Sequence, residues 1–168
     1  LIIFSLLAFI TPAHAQLFKA DRAIQCSAIY LIATAITAGN KQAGKAFMGL
    51  QKTFDSVYSI NEGHRLKQTI TNGMVSKKKS QMQMKLAKMY DSNPQSVYAL
   101  EMQCNAWRAK LSRHLISKIG KSSNRNVIKS AFLSAPDAPA TPSASNPRWS
   151  QSKMMMDKSF TAWNKLGR

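Results

Sequence analysis

The sequence predicts an all-α protein: a disulfide-linked helical bundle of about four helices, a Pro-rich linker and a C-terminal amphipathic helix. Three observations carry that prediction. Apolar residues recur at helical spacing through most of the chain, with no strand-like alternation of useful length. Asn-Pro and Gly mark helix starts and stops. Cys26 and Cys104 both fall among apolar stretches of separate helices. The chain has 168 residues, and 45% of them are hydrophobic, enough for one modest core and too many for a disordered chain.

Residues 1–15 read as the distal part of a secretory signal. Leu1 to Ile10 is an apolar run, Thr11-Pro12 breaks it, and Ala13-His14-Ala15 fits a small-x-small cleavage pattern before Gln16. Export in turn predicts that Cys26 and Cys104 are oxidised to one bridge. It would close a loop of about 78 residues, worth about 4–5 kcal/mol in the chain-entropy account.

Helix 1 is expected from Asp21 to Asn40. No charge occurs from Ala23 to Asn40, and the stretch is apolar on nearly every side, as in a central buried helix. A membrane span is the alternative, weakened by the many Ala, Thr, Ser and Gln. Helix 2 is expected from Lys41 to Asn61, with Ala43, Phe47, Leu50, Phe54 and Val57 on one stripe and a turn at Asn61-Glu62-Gly63. Helix 3 is expected from His64 to Asp91, with Leu66, Ile70 and Met74 on one face and Met82, Leu86 and Met89 further on; Asn72-Gly73 marks a kink or break. Asn93-Pro94 starts helix 4, which runs to Ile119 before Gly120, with Val97, Leu100, Cys104, Trp107, Leu111 and Leu115 inward. Residues 16–133 thus form the bundle with a basic extension, and residues 134–148 a Pro/Ala/Ser linker. Residues 149–168 form a cationic amphipathic helix whose Pro147 follows a second Asn cap, Asn146.

On that last helix Trp149, Met156, Phe160 and Trp163 share an apolar arc, opposite Lys153, Lys158, Lys165 and Arg168. The arc is expected to lie on an anionic membrane, in a partner's groove, or back on its own bundle. The tether predicts a detachable helix, so that deleting residues 134–168 leaves the bundle folded.

Charge is the other functional signal. Lys+Arg number 24 against 7 Asp+Glu, a net charge of +17. Two clusters are candidate binding residues: Lys77, Lys78 and Lys79, and the acid-free run Arg108, Lys110, Arg113, Lys118, Lys121, Arg125 and Lys129. The expected function is a non-enzymatic binding or accessory protein of the bacterial envelope, periplasmic or secreted. It would dock on an unknown acidic protein partner or an anionic envelope surface through this basic face and the terminal helix. The alternative is a binder of anionic polymers, either extracellular or imported nucleic acid or lipopolysaccharide. A small hydrolase or a Cu(I) carrier using the nine methionines is a further alternative. No carboxylate pair, phosphate loop or His-Glu-x-x-His occurs, so no catalytic residue, cofactor or metal is assigned, and no small-molecule substrate is inferred.

Overall fold

The computed structural model describes residues 19–37, 40–119 and 147–167, with only the backbone described for 109–119. Among the described residues there are five α-helices: α1 (Ala20–Thr34), α2 (Lys41–Leu66), α3 (Asn72–Ser92), α4 (Pro94–Ile119) and α5 (Pro147–Lys165). Among the described residues there is no strand. The expected signal segment, the stretch from Lys121 to Lys129 and residues 134–146 of the expected linker lie outside the described residues, and the linker's last two residues, Pro147 and Arg148, are already helix.

Helix α1 is the axis of the fold. Nine of its 15 residues are buried, and it touches each of the other four helices. This is what an uncharged helix without a polar face must do to leave water. It stops earlier than the sequence suggested. From Ala35 to Thr37 the chain tightens into a 3-10 turn, where Thr34 and Thr37 donate their hydroxyls to the carbonyls of Leu31 (2.6 Å) and Thr34 (2.7 Å). β-Branched residues whose hydroxyls compete for backbone carbonyls weaken the α-helix at this point.

Helix α2 starts on Asn40, whose side chain accepts the Ala43 N–H at 3.0 Å. Leu50, Phe54, Val57 and Tyr58 face the core, with Phe47 packed at its edge. The expected turn at Asn61-Glu62-Gly63 is instead helix. Arg65 grips Glu62 with two hydrogen bonds (2.8 and 2.6 Å) and supports that turn of helix. The helix ends at Lys67 in the left-handed region (φ 52°). The Lys67 and Gln68 N–H groups fold back onto the Gly63 carbonyl. A Cβ on Gly63 would stand 3.0 Å from the Gln68 carbonyl oxygen. The glycine therefore permits the closure rather than stopping the helix itself.

The break in the expected long third helix falls at residues 67–71. Thr71 then caps α3, accepting the Met74 N–H. Because of the break, Leu66 and Met74 are exposed, not on a common core face. The inward stripe of α3 is Val75, Lys79, Met82 and Leu86. Helix α4 begins at Pro94 as expected, with the Asn93 side chain accepting from the Ser96 N–H. Val97, Leu100 and Cys104 are buried.

The disulfide joins Cys26 of α1 to Cys104 of α4, with both residues fully buried. Helix α5 packs across α4, α1 and the 3-10 turn. Its arc of Trp149, Met156, Phe160 and Trp163 belongs to the same core as α1. Phe160 stacks on Tyr90 of α3 (centroids 4.2 Å apart), and Trp149 meets Tyr98 of α4 edge-on at 5.7 Å. No described helix is long and apolar enough to cross a membrane.

Candidate binding surface

Three of the seven carboxylates, Asp55, Glu101 and Asp157, are tied to inward donors, whereas Asp21 and Asp91 are exposed and Glu62 pairs with Arg65 at the surface. Asp55 on α2 accepts the Ser27 hydroxyl of α1 (2.5 Å) and the Lys79 ammonium of α3 (2.7 Å), joining three helices. Glu101 on α4 is only 2% exposed. It accepts from Asn105 one turn on and from Ser152 of α5, and Asn105 accepts the Tyr30 hydroxyl of α1 at 2.8 Å. Arg108, one further turn along α4, is buried and acts electrostatically on Glu101 and Tyr30. Asp157 on α5 accepts both the Tyr90 (2.6 Å) and Tyr98 hydroxyls.

These settings shift titration in defined directions. Burial raises the Glu101 carboxyl, opposed by its bonds to Ser152 and Asn105 and by the Arg108 charge. Burial also raises the Tyr30 and Tyr98 phenols. It pushes Tyr90 up to about 12, with the Asp157 carboxylate adding to the effect. At the surface the Arg65 hydrogen bonds hold Glu62 below its ordinary value.

Two residues of the expected basic face are therefore not on it. Lys79 points inward to Asp55, because its position falls on the core stripe of α3 with Val75 and Met82. Arg108 lies on the Glu101–Asn105 face of α4 and is buried with them. Lys77 is exposed and Lys78 half-buried. Lys110, Arg113 and Lys118 lie on α4, where only the backbone is described. Lys121, Arg125 and Lys129 lie outside the described residues.

What remains outside is a different basic surface. At 100° per residue, Lys77, Lys78, Lys85 and Lys88 of α3 share an arc of about 120° with Gln81, Met74 and Met84. Met84 is 58% exposed and Met74 39%. The stripe from Lys77 to Lys88 is about 16 Å long. Lys158 and Lys165 are exposed on the outer side of α5, and Lys153 is exposed at the edge of the aromatic arc, about 20° from Phe160 around the helix, not opposite it. Among the described residues no carboxylate comes within ion-pair distance of Lys77, Lys85, Lys88, Lys153 or Lys158.

A second surface feature lies between α2 and α3. These helices touch little beyond the Asp55–Lys79 pair, and an open groove separates them. One part, about 620 Å³, is lined by Lys52, Asp55, Ser56, Asn72, Ser76 and Lys79 among others. The other, about 500 Å³, includes His64, Lys67, Gln68 and Thr69. Both share Ser59, Ile60 and Ile70, so the groove is continuous. The groove differs from the expected surface because its far end exists only when α2 runs past Asn61. The periodic signal was available: Lys52, Ser56, Ser59, Ile60, Gly63 and Lys67 recur on one side of α2, away from Leu50, Phe54 and Val57.

Ser27, Asp55 and Lys79 resemble a catalytic set in composition only. Ser27 is fully buried, so no substrate reaches its hydroxyl. Among the described residues no group of three His, Cys, Asp or Glu side chains is placed to hold a metal ion. Comparison with protein-family models, curated proteins and solved structures finds no match to this chain.

Proposed function

We propose that this is an exported, non-enzymatic binding protein that docks on an anionic envelope surface through the outer lysines of α3 and α5. One observation carries the reading: Asp55, Glu101 and Asp157 spend their charges on inward donors, whereas Lys77, Lys85, Lys88, Lys153 and Lys158 face solvent. With three of only seven acids tied inside and 24 Lys and Arg in the chain, the few outward acids, such as Asp21 and Asp91, leave a strong positive field on the surface. Met74 and Met84 give the α3 face soft apolar contact beside the lysines. The buried disulfide is compatible with an oxidising compartment and supports export. The aromatic arc of α5 has no part in this mode, since the bundle already covers it.

Vesicle co-sedimentation tests the proposal. Vesicles rich in phosphatidylglycerol should retain the protein at low salt and release it steeply as salt rises, while phosphatidylcholine vesicles retain none. The triple substitution Lys77→Glu, Lys85→Glu, Lys88→Glu should abolish retention. Equal retention on both vesicles, or undiminished retention of the triple variant, would refute the docking face.

A further inference from the structure

We infer that the α2–α3 groove is a peptide-binding site for an acidic segment of a partner protein, with an apolar residue at the centre of that segment. The site is independent of the α3 outer face: Asn72, Val75, Ser76 and Lys79 line the groove from another side of that helix.

The order of chemistry along the groove specifies the ligand. Lys52 stands at one end and Lys67 at the other, both exposed. Ile60 and Ile70 form the shared middle, and Ile60 is 61% exposed. Its one carboxylate, Asp55, is already committed to Ser27 and Lys79. A ligand therefore meets cation, apolar wall and cation in sequence. The hydroxyls and amides of Ser56, Ser76, Asn72, Gln68 and Thr69 lie between and are suited to a peptide backbone.

Spacing sets the register. Lys52 and Ile60 are about 12 Å apart along α2, and Ile60 and Lys67 about 10 Å. An extended chain advances about 3.3 Å per residue. Acids three to four positions either side of an apolar residue therefore match the groove, which spans about seven extended residues. Charge argues against the chain's own residues 120–146 as the occupant: they hold Lys121, Arg125 and Lys129 against Asp137 alone.

The test is fluorescence anisotropy on the full disulfide-bonded chain, with a labelled nine-residue peptide of sequence EESSLSSEE. Saturable binding is expected, weakened about tenfold or more when the central Leu becomes Ser or when the four Glu become Gln. Ile60→Ser and Lys67→Glu change exposed side chains and should each weaken binding, whereas the triple α3 outer-face variant should not. Absence of binding, equal binding of the leucine-free peptide, or equal loss in the triple variant would overturn the assignment. Displacement by a short single-stranded oligonucleotide as effective as by unlabelled peptide would also overturn it, in favour of general polyanion binding. Vesicle retention is measured separately, so failure here leaves the docking face standing, and the reverse.

Discussion

Where α5 lies across α4, Trp149 and Ser152 meet Tyr98 and Glu101, and Phe160 continues onto Tyr90 of α3. Where α2 faces α3, Lys79 reaches Asp55 while Ile60 stays open to solvent. The first seam joins aromatic faces, and its two carboxylates, Glu101 and Asp157, each have hydroxyl or amide partners from another turn or helix. The second splays apart beyond its ion pair and leaves a groove with cations at both ends. A closed seam supplies stability, and an open one supplies surface. In this chain the more membrane-like sequence became the closed seam.

The largest effect that would break this contrast is removal of α5. Burying Trp149, Met156, Phe160 and Trp163 stabilises the fold by about 1.5–3 kcal/mol each, and single domains have a net stability of only about 5–15 kcal/mol. Deleting residues 134–168 is therefore expected to unfold the bundle, seen as loss of the cooperative thermal transition by circular dichroism. A deletion variant that melts near the wild-type midpoint would restore the separable helix that the linker suggests.

Next is the cross-link under the closed seam. Cys104→Ser removes a bridge across a separation of 78 residues and places a hydroxyl in the core. The expected loss is about 4–5 kcal/mol from loop closure alone, read by urea denaturation. Phe160→Ala should cost about 3–5 kcal/mol in the same measurement.

A smaller effect concerns pH. The folded state raises the Glu101 carboxyl above its ordinary value, so the folded chain holds this proton more tightly than the unfolded chain. The resulting stabilisation is complete below the unfolded value, near 4.5, and is lost as pH rises through the folded value. The difference in stability between wild type and Glu101→Gln should therefore shift in favour of wild type as pH falls from neutral towards 4.5. A pH-independent difference would show that Glu101 titrates as it does in the unfolded chain.

The smallest effect belongs to the open seam. Ile60→Ser should change stability by less than about 0.5 kcal/mol, because the side chain makes little buried contact. A loss of several kcal/mol would mean that the groove wall is part of the core.

The parts of this fold legible in the sequence were those set by local signals. The Asn93-Pro94 start, the uncharged α1 and the Leu50–Phe54–Val57 stripe each follow from periodicity or capping within a few residues. The Cys26–Cys104 bridge was legible because only two cysteines exist. What escaped depended on partners distant in sequence. Lys77, Lys78 and Lys79 look alike as a run, yet one position on a helix turns a side chain by 100°, and Asp55 lies 24 residues away from the lysine it binds. Glu101 and Asp157 carry no motif, since their donors come from Ser152, Asn105, Tyr90 and Tyr98 on separate turns or helices. The groove escaped because Gly63 resembles a helix stop until the chain is seen folding back over it.

The closed seam requires that α5 belong to the same cooperative unit as α1. Native-state hydrogen exchange under increasing denaturant measures this, by following amides of Met155 to Trp163 against those of Ile24 to Ile32. Equal opening free energies, with the same denaturant dependence for both sets, are the predicted result. Exchange of the α5 amides through a separate, low-energy opening would contradict it and make the aromatic arc a releasable docking element.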